Sequence, residues 1–229
     1  MDGNSCCVRL WDPSAQGIST YPSWGYNSCS YSKFDNVRRH EYMRPLIIAN
    51  WKMNPSNVKD AFDLAGAVVR QLEGVEADIV LCPPFVYIPQ LLPSSSVFIG
   101  AQDCFWEQEG AYTGEISPQM LKNLGCSYVI LGHSERKRLG ETADVVAKKV
   151  QVALTVGLIP VVCIGESIEK EMSTILKDVK DVDIPKIIFV YEPEGAISTE
   201  PKAQASSPEQ LEKALSAMRG ALLKKAGKE

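Results

Sequence analysis

Three side chains able to move or stabilise charge each follow a short apolar run in this 229-residue sequence. They are Lys52 in Asn50-Trp51-Lys52, His133 in Gly132-His133-Ser134-Glu135-Arg136, and Glu192 in Tyr191-Glu192-Pro193. A carboxylate can take a proton from carbon, an imidazole can polarise a neighbouring carbonyl, and an ammonium can offset the negative charge that develops. Together they suit proton transfer next to a carbonyl. Taken singly, each has a plainer explanation. Lys52 reads as a solvated loop lysine and His133 as a hydrogen-bonded structural histidine. Glu192 reads as a loop acid held extended by the proline after it. Glu135 and Arg136 read as a surface ion pair of small worth. The run Ser134-Glu135-Arg136 puts His133 at a helix start, where the dipole disfavours an added positive charge.

What could bring these residues together is a regular alternation. Apolar runs occur at 46–50, 78–82, 97–101, 128–132, 159–164 and 186–191. They are almost continuously apolar, as strands buried on both faces should be. Helical spacing fills the intervals. In the first helix, Val58, Phe62, Ala65, Val69 and Leu72 share one face, and Gly74 ends it. The last begins at Ser207-Pro208-Glu209-Gln210, a capping box with proline in the first turn, and carries a stripe of Leu211, Ala214, Leu215, Met218 and Leu222. Six alternations of strand and helix predict right-handed βαβ units and a parallel sheet. Period does not decide between an open sheet and a closed barrel. In either, working residues sit just past the carboxyl ends of the strands. Gln102-Asp103 and Cys163-Ile164-Gly165-Glu166 join the three segments above on that rim. No strand is followed by a dinucleotide or P-loop glycine signature.

A net charge of −4 gives no field for nucleic acid or an anionic membrane. No apolar run approaches the ~20 residues of a membrane span. Seven cysteines, none in a CxxC pair, with His40 and His133 as the only histidines, point to reduced thiols in a cytoplasmic protein and to no metal site. Residues 1–43 show neither strand nor helix period and no apolar leader core, so the expectation is a disordered or non-native extension ahead of a domain at 44–229.

Five segments carry a resemblance. Asn50-Trp51-Lys52-Met53, Gly110-Ala111-Tyr112-Thr113-Gly114-Glu115, Gly132-His133-Ser134-Glu135-Arg136, Cys163-Ile164-Gly165-Glu166 and Tyr191-Glu192-Pro193 stand in the order and near the spacing seen in triosephosphate isomerases. The sequence resembles that family over residues 44–229. The resemblance implies a (β/α)₈ barrel that interconverts dihydroxyacetone phosphate and glyceraldehyde 3-phosphate through an enediolate, without cofactor or metal. Glu192 would be the base, a role for which the family is a standard example. His133 would act as electrophile and Lys52 would stabilise charge. Asn50 and Ser198 would bind substrate, and Glu135 would position Lys52. Thr113 and Gln102 would lie at a homodimer contact.

Two departures temper this. The lid stretch, Pro193-Glu194-Gly195-Ala196-Ile197-Ser198-Thr199-Glu200, has Glu194-Gly195 where the family usually has Val-Trp. Six strand–helix units are read where the barrel uses eight. The expectation is therefore a barrel truncated to six units, with its first and sixth strands as bare apolar edges. An inactive barrel acting through contacts is the alternative to an isomerase, and a different sugar-phosphate barrel enzyme ranks behind both.

Overall fold

A computed structural model of the chain describes residues 44–72, 74–92, 97–193 and 205–227. The expectations for residues 1–43 and for Ser198 fall outside them. Six strands appear in chain order: β1 (Leu46–Asn50), β2 (Asp78–Cys82), β3 (Phe98–Ala101), β4 (Tyr128–Leu131), β5 (Ile159–Ile164) and β6 (Ile188–Tyr191). Every neighbouring pair is parallel and the spatial order equals the chain order. The sheet is a curled half-barrel of six strands. The helices are α1 (Val58–Gln71), α2 (Ile88–Leu91), α3 (Pro118–Leu124), α4 (Ser134–Arg138), α5 (Ala143–Thr155), α6 (Ile168–Leu176) and α7 (Pro208–Lys225).

Alternation along each strand sorts the core into two layers. Ile48, Val80, Cys82, Tyr128, Ile130, Val161, Cys163, Ile188 and Val190 form one cluster on the concave face. Their neighbours Ile79, Leu81, Ile99, Val129, Leu131, Val162, Ile164 and Phe189 turn outward against the helices. Gly100 belongs to the inner parity. A Cβ there would come within 2.7 Å of Cys82 Sγ and 3.2 Å of Tyr128 Cβ, so the bulk of Tyr128 depends on a glycine beside it.

Local signals fix the helix ends. Ser207 and Gln210 form the expected reciprocal capping box on α7, while Asn57, Ser117 and Thr142 cap α1, α3 and α5. Met218, fully buried, ties α7 to Met172, Ile175 and Leu176 of α6 in the outer layer.

The apolar face expected for α1 is only partly used. Ala61 is its buried residue, whereas Val58 and Phe62 are 44% and 40% exposed. The same is true of Leu211 on α7, at 40%. Ala61 packs with Tyr87 and Leu91, and among the described residues no strand pairs with the outer edge of β1. Ile47, pointing out from β1, is half exposed. β6 ends the sheet on the other side, with no strand paired to its far edge among the described residues, although Ile188, Phe189 and Val190 are themselves buried in the two core layers.

Candidate active site

The rim is built from its backbone outward. Lys52 has φ 55°, a left-handed conformation that costs a residue with a Cβ about 1–2 kcal/mol. Two side chains hold it there. Asn50 Oδ1 accepts the Lys52 N–H at 2.9 Å, and Gln102 Nε2 donates to the Lys52 carbonyl at 2.7 Å. Gln102 also donates to the Cys82 carbonyl at 2.8 Å, so the ends of β1, β2 and β3 meet at one amide. Strain held by surrounding structure in this way is typical of working sites. The turn aims the ammonium at Glu135, with Nζ to Oε1 at 2.9 Å.

His133 is the N-cap of the five-residue helix α4, as its sequence context anticipates. Its Nδ1 accepts the Glu135 N–H at 3.2 Å, which leaves the ring proton on Nε2. That nitrogen lies 2.9 Å from Glu192 Oε1. Both side chains are largely shielded, 10% and 17% exposed. Ser134 completes the cradle: its N–H reaches Glu192 Oε2 at 2.9 Å and its hydroxyl reaches Oε1 at 3.0 Å. Burial by itself would raise the Glu192 carboxyl. The hydrogen bonds from His133 and Ser134 outweigh it and hold the group below the usual glutamate value. Glu192 is thus a parked carboxylate, held by three donors from His133 and Ser134.

Behind the rim lies a buried charge cluster. Lys149 Nζ donates to both oxygens of Asp103, at 2.8 and 2.9 Å, and to Glu141. Arg136 Nε stands 2.7 Å from Asp103 Oδ2 and 3.5 Å from Glu141 Oε1. Burial is the main influence on Asp103 and keeps its carboxyl above the ordinary range despite Lys149. The expected surface pair between Glu135 and Arg136 does not form. The two point opposite ways around α4, one to Lys52 and one to Asp103.

Of the residues singled out in the sequence, Asn50, Lys52, Gln102, His133, Glu135 and Glu192 converge on this rim. Thr113 stands apart on an exposed loop, and Gln102 spends its amide within the chain. Glu166 is exposed beyond β5; burial pushes the Tyr191 hydroxyl up, and the Glu166 charge adds to it. Ser134, Asp103, Glu141 and Lys149 acquire structural roles that the sequence reading did not give them. Lys149 carried a usable signal: it interrupts the buried α5 face of Val146, Val150 and Ala153, and a buried lysine needs partners. No group of three metal-ligating side chains occurs among the described residues.

A sequence model of triosephosphate isomerase matches residues 45–229. The chain belongs to the triosephosphate isomerase family. It is 40% identical over 188 residues to the triosephosphate isomerase of Thermoanaerobacter pseudethanolicus, covering 75% of each protein. The match to the enzyme of Caldanaerobacter subterraneus is 37% over 202 residues, covering 81% of this chain and 80% of the other. With that of Dehalococcoides mccartyi it is 45% over 179 residues, covering 72% and 70%. Family membership gives the rim a frame: a half-barrel of βα units with its polar side chains gathered past the strand ends.

Proposed function

We propose that this chain interconverts dihydroxyacetone phosphate and glyceraldehyde 3-phosphate, with residues 44–229 as the working unit and the cytoplasm as its place. The observation that carries this reading is the 2.9 Å contact between His133 Nε2 and Glu192 Oε1, with Lys52 delivered to the same rim by a strained turn. Glu192 removes a proton from the carbon next to the substrate carbonyl and returns it to the former carbonyl carbon. His133 donates its Nε2–H to the carbonyl oxygen as negative charge develops there, and relays one proton from the neighbouring hydroxyl oxygen to that oxygen, so that carbonyl and hydroxyl exchange places while the ring ends neutral. Lys52 stabilises the negative charge on phosphate and enediolate. Glu135 holds Lys52, and Asn50 shapes the turn that presents it.

The parked geometry supplies a switch in basicity. A carbonyl oxygen that takes over His133 Nε2–H displaces Glu192 from that donor. A carboxylate that also leaves Ser134 loses the bonds holding its pKa down, while remaining shielded from water. It becomes a stronger base as substrate arrives.

A homodimer through the loop carrying Thr113, and a substrate-binding role for Ser198, belong to the same reading. The other reading, a folded relative that acts through contacts without turnover, draws on the unpaired β1 edge and half-exposed Ile47. One experiment separates them: turnover of glyceraldehyde 3-phosphate by the full chain beside a Glu192→Gln variant. Turnover that falls at least ~100-fold in the variant supports the isomerase. Absence of turnover in a folded wild-type chain refutes it and favours the second reading.

A further inference from the structure

Helix α4 is five residues long, too short to persist by its own hydrogen bonds. Yet its N-cap and first two residues hold Glu192 and Lys52 in place. Something outside must fix it. On one side Arg136 reaches Asp103 at the end of β3. On the other side, Lys137 Nζ lies 2.5 Å from Glu171 Oε2 and 3.1 Å from the carbonyl of Cys163 in β5. Glu171, in α6, also accepts the N–H of Gly165 at 3.2 Å. The pair is sheltered, with side chains 23% and 15% exposed.

The backbone leaves room for this contact. A Cβ at Gly165 would come within 3.1 Å of Glu171 Oε1 and 3.6 Å of Lys137 Nζ, so the pair sits directly over a residue with no side chain. Gly132, just before His133, approaches the same Cys163 carbonyl from the other side: a Cβ there would stand 3.3 Å from it. Glycines at both positions thus let the β4–α4 turn, the β5 end and α6 close on one point.

We propose that Lys137 and Glu171 are a positioning pair that holds α4 against the β5–α6 turn and thereby fixes His133 and Ser134 on Glu192. The inference rests on the isomerase reading for its kinetic consequence, and on geometry alone for its structural one. Neither residue touches the reacting atoms. Lys137 acts through the orientation of the helix, and Glu171 acts through Lys137.

The test compares Lys137→Met, Lys137→Arg, Glu171→Gln and a control, Met218→Ala, which opens the α6–α7 layer away from the rim. The chain has one other histidine, His40, so the ring nitrogens of His133 can be followed by 15N NMR and assigned with a His40→Gln variant. The wild type should show one fixed tautomer, protonated at Nε2. Lys137→Met and Glu171→Gln should blur that pattern toward tautomer exchange and lower kcat about tenfold or more, with KM changed less than about twofold. Lys137→Arg should keep both properties near wild type. Met218→Ala should lower the melting temperature but leave the His133 pattern intact. An unchanged His133 pattern in Lys137→Met overturns the proposal, and so does a change that Met218→Ala reproduces. If the wild-type chain shows no turnover, the isomerase reading falls, and the His133 pattern alone decides the positioning claim.

Discussion

Replacing Lys149 with methionine should destabilise the fold far more than it disturbs the rim. Lys149 is 3% exposed, and its two carboxylate partners have side chains 9% and 4% exposed. The substitution keeps most of the volume but removes every bond from Nζ to Asp103 and Glu141. It leaves two buried carboxylates facing one cation, Arg136, which is 42% exposed and stands 3.5 Å from Glu141. Glu141 Oε2 already lacks a partner, so the site has no spare donor to share. Removing one member of a buried charge pair costs about 3–5 kcal/mol. For a domain of this size that lowers the melting temperature by roughly 6–20 °C.

The pH dependence gives a second, independent reading. Burial already holds Asp103 above the ordinary carboxylate range, and losing Lys149 should push it further up. A carboxyl whose folded value is raised binds its proton more readily folded than unfolded. Its penalty is therefore full above the folded value and shrinks as the pH falls through that value toward the lower unfolded one. Urea midpoints of wild type and Lys149→Met should accordingly converge as the pH is lowered from neutrality into acid. A loss below about 1 kcal/mol at neutral pH, or one independent of pH, would refute the account of this cluster as a buried and barely compensated charge set.

Three further outcomes follow from the same geometry. Gln102→Leu frees the Lys52 carbonyl and should cost about 1–3 kcal/mol in a urea titration. It should also raise KM for triose phosphate as the strained turn relaxes, so an unchanged KM would separate that turn from substrate binding. Glu192, held below the usual glutamate value, contributes stability fully present above its unfolded pKa and lost as pH falls through the lower folded one. The stability gap between wild type and Glu192→Gln should therefore close only in acid, below the ordinary glutamate titration, and a gap that closes above it would contradict the parked carboxylate. Burial pushes the Cys104 thiol up to about 12 and Cys126 to about 11. Peptide mass mapping after iodoacetamide should find both unmodified in the native chain at about pH 8 and modified in urea, and ready native labelling would contradict their burial.

The strands were legible because burial on both faces leaves a continuous apolar signature. Their bounds differ from the apolar runs by a residue or two for local reasons. The run at 186–191 loses its start because Asp181–Lys186 forms a 3-10 turn before β6 begins at Ile188. The α7 start was legible because the capping box is a local pattern with a local cause. The α1 face was misjudged because period identifies which residues share a side and says nothing of what covers that side. Val58 and Phe62 are in register and still exposed, while Ala61 of the same helix is buried against Tyr87 and Leu91.

Charged residues were the least legible, and α4 shows why. Five successive residues engage four strand ends: His133 and Ser134 take Glu192 after β6, Glu135 takes Lys52 after β1, and Arg136 takes Asp103 after β3. Lys137 takes the β5 carbonyl of Cys163 and Glu171 beyond it. In sequence, Glu135 and Arg136 are adjacent and of opposite charge, so a local pair is the natural reading. On a helix, adjacent residues diverge by about 100°, and partners are chosen by direction. A single turn at the mouth of a parallel sheet therefore serves as a hub with spokes to four of its six strand ends. The same arrangement explains why removing a charge from α4 should be felt at Glu192, although only His133 and Ser134 touch it.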